Sequence, residues 1–305
     1  MTPRKPAPSP SAPAFASRPK DRNAGLVYGL VGVAAFSLTL PATRVAVAAL
    51  DPVFVGLGRA LVAAVLAAIL LVVRRVPFPG RTQLPGLALV AAGVVVGFPL
   101  FSAWAMQHVP AAHGAVVIGL LPLATAITAA WLAHERPSKL FWASAIVGSA
   151  VVVGFALWKG GGSPHPADIL LLLAVAAAAV GYAEGGRLAR ILGGWQVICW
   201  ALVLSAPLLA VPTLMAADAR LLVAPAAAWA GFVYVSVVSM FLGFFAWYRG
   251  LALGGIAVVG QVQLLQPFLT IFASAWLLGE EIDTATLITA ALVIASIAIG
   301  RLNWR

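Results

Sequence analysis

From residue 24 onward the chain is a succession of apolar runs, most of them near the length of a membrane crossing, parted by short breaks that hold nearly all of its charge. About 20 apolar residues cross the hydrocarbon core as a helix. Backbone amides find no water there, so the only other route is a closed barrel, whose two-residue alternation these runs lack. Reading between the charged and Gly/Pro-rich breaks places ten spans, at residues 24–46, 52–73, 84–107, 111–133, 139–158, 167–187, 195–216, 224–248, 252–278 and 284–301. The fold class this predicts is an all-α integral membrane protein of ten transmembrane helices. Composition serves as a check: with 62% hydrophobic and 9% charged residues, a soluble domain of this size would lack the polar surface to stay in solution.

The net charge of +10 invites a nucleic-acid reading, but the cations are scattered between apolar runs rather than gathered with aromatics on one face. No nucleic acid is therefore expected as a partner. The cations set topology instead. With the N-terminus in the cytoplasm, fifteen of the nineteen Lys and Arg fall inside, so both termini are expected on the cytoplasmic side of a bacterial inner membrane. Arg44 and Arg59 lie toward the outer ends of the first two spans, where they can snorkel to headgroups, pair with Asp51 or capture a substrate carboxylate. His113 opens the fourth span outside and is expected to be solvated. Tryptophans at span ends, Trp131, Trp158 and Trp247 among them, read as interface anchors.

Residues 1–23 are rich in Pro, Ala and Ser and basic, and read as a disordered cytoplasmic tail. Ala46-Val47-Ala48 mimics a signal-cleavage site, but the run before it is nearer span length, so the first span is expected to be retained. The single cysteine, Cys199, excludes a disulfide within the chain and reads as a small buried apolar side chain.

The chain also repeats itself. At an offset of 145 residues, Leu120-Leu121-Pro122 falls on Leu265-Gln266-Pro267, Thr125 on Thr270, Ala130-Trp131-Leu132 on Ala275-Trp276-Leu277 and Glu135 on Glu280. At 143, Phe98 falls on Phe241, Phe101 on Phe244 and Ala103-Trp104 on Ala246-Trp247; at 141, Ala60-Leu61-Val62 falls on Ala201-Leu202-Val203; at 146, Phe36 falls on Tyr182 and Arg44 on Arg190. One five-helix unit used twice is implied, with residues 24–158 and 167–305 as the halves and 159–166 as the linker. Five is odd, so the second copy enters the membrane from the opposite side, an arrangement recurrent in secondary transporters.

Each half thus carries a proline, an apolar run and an acid at the helix end, Pro122 to Glu135 and Pro267 to Glu280. On those motifs, the ten spans and the duplication, the chain resembles the drug/metabolite transporter superfamily and within it the EamA family. It is most similar there to exporters of aromatic amino acids. The resemblance covers nearly all of the chain from residue 24. It implies two inverted five-helix halves around a largely hydrophobic central cavity, and export of amino acids or similar metabolites. His134 departs from the pattern, standing where the family usually has Gly before the acid; Gly279 keeps it.

Candidate site residues follow from depth and spacing. Gln263, Gln266, Thr270 and Ser274 recur at three and four residues near mid-membrane, one face of the ninth helix, and point either into a cavity or into interhelical hydrogen bonds. Gln261 faces elsewhere, toward a neighbouring helix. Phe98 and Phe101 on the third span and Phe244 on the eighth, with Phe36 and Tyr182, can wall a substrate cavity or be ordinary core. Prolines Pro41, Pro99, Pro122 and Pro267 interrupt spans and are candidate hinges, since each removes a backbone donor. Glu184 is the one acid well inside a span. It is a candidate for proton coupling, with an ion pair to Arg187 one turn on as the alternative.

No enzymatic constellation and no phosphate-binding loop is present in the sequence, so no catalytic residue, cofactor or metal is expected and transport does not run on ATP hydrolysed by this chain. The expected function is export of aromatic or hydrophobic amino acids and related metabolites by alternating access, by a monomer. Export of another solute such as a drug cation, or a membrane enzyme or scaffold, are the alternatives.

Overall fold

The computed structural model describes residues 19–159 and 166–278, with 284–285, 288–289, 291–292, 295–296 and 299. The N-terminal tail, the centre of the linker, Glu280, the side chains of Ser274 and Trp276, and most of the tenth expected span lie outside the described residues. Fifteen α-helices follow one another: α1 Pro19–Ser37, α2 Thr39–Val47, α3 Pro52–Val73, α4 Leu84–Val90, α5 Phe98–Met106, α6 Ala111–Ile118, α7 Leu121–Leu132, α8 Lys139–Lys159, α9 Ala167–Leu192, α10 Gly194–Met215, α11 Arg220–Val223, α12 Ala226–Val233, α13 Gly243–Gly254, α14 Ile256–Gly260 and α15 Gln266–Leu278. Among the described residues no strand occurs. Seven continuous runs among the described residues are long and apolar enough to cross a membrane. Val65, Val72, Leu208 and Leu214 stand exposed on them, a surface suited to lipid and unsuited to water. The protein is a multi-pass membrane protein.

Several of these runs are not plain α-helix. π-helical stretches, Ala91–Gly97 and Tyr234–Leu242, join α4 to α5 and α12 to α13. Their first residues, Ala91 and Tyr234, coincide in the register that matches Phe98 with Phe241. A 3₁₀ stretch, Gln261–Leu265, joins α14 to α15. Breaks fall at Leu38 before Pro41 and at Gly119 and Leu120 before Pro122. Proline cannot donate to the carbonyl four residues earlier. For Pro41 that carbonyl belongs to Ser37, and the Thr270 hydroxyl donates to it at 2.7 Å.

Local chemistry fixes the helix ends. Asp51 starts α3: its carboxylate accepts from the Val53 and Phe54 amides at 2.8 and 3.2 Å, and Pro52 follows. Gly193 and Gly255 take φ of +95° and +88°, the left-handed conformation open to glycine, and let one helix follow another after a single residue. The expected boundary near Arg249 is thereby corrected: α13 runs on to Gly254, and the Arg249 guanidinium lies 5.2 Å from the centre of the Tyr28 ring. The sixth span likewise extends past 187 to Leu192.

α1 and α13 pack through a glycine seam. A Cβ at Gly25 would lie 2.5 Å from the Gly254 nitrogen, and one at Gly250 would lie 2.8 Å from the Gly25 carbonyl oxygen. In lipid, helices gain little from apolar burial against one another and much from close backbone approach. That seam draws the first and eighth runs together and sets the aromatic faces of α1 and α13 against α9.

Candidate substrate cavity

α1, α9 and α13 bring Phe36, Tyr182, Phe244, Trp247 and Tyr248 into one cluster. Phe36 stacks on Tyr182 with ring centres 6.4 Å apart and tilts against Phe244 at 5.1 Å, while Tyr182 meets Trp247 edge-on at 5.2 Å. Such edge and offset contacts suit the ring quadrupoles. Trp247 is fully buried here. Its expected place at the membrane interface is a correction: the Gly32 seam brings its backbone against α1.

Beside this cluster lies a small cavity walled by Phe36, Val94, Phe98, Leu121, Met240 and Phe244. Its polar lining is Thr39, Arg59, Tyr182, Ser239 and Gln266. The Thr39 and Ser239 hydroxyls are bonded to each other at 2.8 Å. About 20 Å³ is open to the centre of a water-sized sphere, room for about one water molecule. A larger groove of about 450 Å³ opens between α4 and α10. Its one polar side chain, Ser205, is spent on the Ala201 carbonyl, and it offers nothing to orient a polar solute.

Of the residues singled out in the sequence, Phe36, Phe98, Tyr182, Phe244 and Gln266 stand on the cavity wall. Gln263 is buried beside the Tyr182 hydroxyl, with neither amide atom in a well-formed hydrogen bond. Thr270 and Phe101 are elsewhere, Thr270 on the Ser37 carbonyl and Phe101 half-buried with its ring centre 6.2 Å from that of Trp104. The expected single face of Gln263, Gln266 and Thr270 is therefore corrected: the 3₁₀ stretch tightens the turn between Gln263 and Gln266, and the register of an unbroken α-helix does not hold across it. Gln261 reaches a neighbouring helix, donating to the Ser144 hydroxyl at 3.1 Å.

Other charged groups of the bundle are tied in place. Glu184 takes two bonds from Arg187, at 2.8 Å from Nε and 2.6 Å from Nη2. Arg44 donates to the Met106 carbonyl at 2.9 Å and to the Val109 carbonyl, closing the C-terminal end of α5. His113 is held by Asp168 at 2.6 Å; expected to be solvated, it is partly buried by the start of α9. Glu135 closes the opposite end. Its Oε1 accepts from Arg190 at 2.6 Å and from the Ile256 amide at 2.9 Å, and its Oε2 from the Ala257 amide at 2.9 Å. The carboxylate thus sits on the N-terminus of α14, where helix dipole and free amides favour an anion. His134, just before it, has φ of +52°, which accounts for the glycine usual there in the family.

The sequence model of the EamA-like transporter family matches residues 23–157 and again residues 165–300. The chain belongs to that family. An uncharacterized transporter, YdeK, from Bacillus subtilis (strain 168) is 46% identical over 277 residues, 91% of this chain and 96% of its own. A probable terminal-alkyne amino-acid exporter from Streptantibioticus cattleyicolor is 29% identical over 280 residues, 90% of this chain and 92% of its own. A crystal structure of a protein 21% identical superposes with a TM-score of 0.71 over 92% of this chain and 99% of that one, a likeness of fold. As an EamA transporter the chain is a membrane carrier of small molecules.

Thr39, Ser239 and Met240 are on the cavity wall and were not singled out in the sequence; Arg59, left there between headgroups, Asp51 and a substrate carboxylate, stands on the wall as well. Arg59 had a visible signal. It is a cation eight residues into an apolar helix with no acid within four residues of it, and ionisable groups inside spans belong by default to functional sites.

Proposed function

We propose that this protein is a secondary transporter of the bacterial inner membrane that exports hydrophobic or aromatic amino acids and related metabolites by alternating access. In this reading ten spans form two inverted five-helix halves, residues 24–158 and 167–305, with both termini cytoplasmic. The observation that carries it is the small, mostly apolar cavity with a few polar groups, the make-up of a small-molecule site. Support for the doubled architecture comes from the two matches of the family model and from the π stretches that begin at matching positions of the two halves. Support for amino acids comes from the relative named as an amino-acid exporter; the aromatic preference is the finer part of the proposal and follows the resemblance read in the sequence. Against a cationic drug stands the engagement of both Glu184 oxygens by Arg187.

The test is purified protein in liposomes with a panel of labelled amino acids, run with and without a pH gradient. Counterflow of phenylalanine- or leucine-like solutes is expected. An absence of flux for the whole panel overturns the substrate reading, and one for every small solute overturns transport in favour of a scaffold or enzyme. Glu184→Gln reports on coupling: a gradient response equal to wild type removes Glu184 from that role.

A further inference from the structure

Arg59 is among the largest fully buried side chains of the helix bundle. Its residue is 1% exposed, and its Nε and Nη1 are buried without a hydrogen-bond partner. The buried and half-buried acids among the described residues are all engaged elsewhere. Asp51 caps α3 and faces Arg220 at 3.8 Å, Glu135 holds Arg190, Glu184 holds Arg187, and Asp168 holds His113. The side chain instead stands on the cavity wall with Tyr182, Phe98, Phe244 and Gln266. Nor does the scaffold require a cation at this position. In the register that matches Ala60-Leu61-Val62 with Ala201-Leu202-Val203, Arg59 falls on Trp200, whose ring packs edge-on against Phe78 at 5.2 Å.

A buried guanidinium without a counter-charge is costly, and removing water from it is repaid only by an anion with good geometry. Its planar fork matches a carboxylate with two parallel hydrogen bonds. We propose that Arg59 is the carboxylate subsite of the cavity, so that the solute carried is an organic acid anion or amino acid whose apolar part lies against Phe98 and Phe244. The proposal rests on the reading of this cavity as a transport site and narrows it: a carboxylate is required, and amines or amides of the same shape are rejected.

The test uses the full chain in detergent, with thermal unfolding as the readout and four probes: 3-phenylpropionate, L-phenylalanine, L-phenylalaninamide and 2-phenylethylamine. The two carboxylates are expected to raise the wild-type midpoint and the amide and amine to leave it unchanged. In Arg59→Gln the carboxylate concentration giving half the shift is expected to rise about tenfold or more, with Arg59→Lys in between because a point charge replaces the fork. Without ligand, Arg59→Gln and Arg59→Met are expected to melt at or above the wild-type temperature, since no protein partner is lost. Equal responses to carboxylate and amine, a wild type answering none of the probes, carboxylate affinity unchanged in Arg59→Gln, or ligand-free variants melting well below wild type would each overturn the proposal. Failure of the broader reading looks different: phenylpropionate binds through Arg59 while amino acids show no flux in vesicles.

Discussion

The segments α6–α7 and α14–α15 carry the same proline at matching positions of the repeat, Pro122 and Pro267, and both are broken just before it. They are finished differently. At the first break the chain offers Ile118 and Leu121 where the second offers Gln263 and Gln266. Both pairs are buried, yet the amides of the second pair retain unpartnered atoms. The same asymmetry recurs where Arg59 answers to Trp200 and Tyr182 to Phe36. A duplicated scaffold supplies symmetrical breaks and aromatic walls, and each polar group of the site belongs to one half alone. On the reading proposed above, the repeat supplies the scaffold and recognition rests on the positions where its two copies differ.

The largest test of this comparison is mechanical. Glu135→Ala removes from the α14 end both its acceptor and the Arg190 ion pair, and is expected to lower stability by about 3 kcal/mol, read as a fall in the unfolding midpoint in detergent. Next comes exchange across the repeat. Gln266→Leu is expected to lower flux in proteoliposomes about tenfold, the scale of one lost polar contact, whereas Ile118→Gln, at the other broken segment and off the cavity wall, leaves it within about threefold. Equal losses would show that the two breaks serve recognition alike. His134→Gly, which makes the first half match Gly279 of the second, is expected to raise stability by about 1 kcal/mol by relieving a left-handed residue. The smallest effect is at Thr270. Thr270→Val is expected to cost about 0.6 kcal/mol, and less in a Pro41→Ala background, where a backbone amide can reach the Ser37 carbonyl; a double-mutant cycle reads the difference.

Much of this was visible in the sequence because it depends on local runs. Apolar lengths marked the seven runs found among the described residues, and fixed offsets picked out Phe36, Phe98, Tyr182 and Phe244, four residues that the structure assembles at one cavity. What escaped depends on partners distant in the chain. Asp51 looked free to meet Arg59, but the Val53 and Phe54 amides use it. Trp247 lay at the end of a run and looked like an anchor until the glycines of α1 drew it inward. Gln263, Gln266 and Thr270 kept helical spacing on paper, and the 3₁₀ turn between the two glutamines cannot be counted from residue types. His113 carries no local sign of Asp168, which the chain brings back only at the start of α9, beyond the linker.

On the transport reading proposed above, the smallness of the cavity bears on the pace of the cycle. With space for about one water and none for a benzene ring, the chamber must dilate each time a solute enters, and the stacked Phe36 and Tyr182 rings must part to let it do so. Lid-like motions of this kind commonly run on microsecond to millisecond timescales and often limit turnover. On that reading, throughput is expected to follow how often the walls separate.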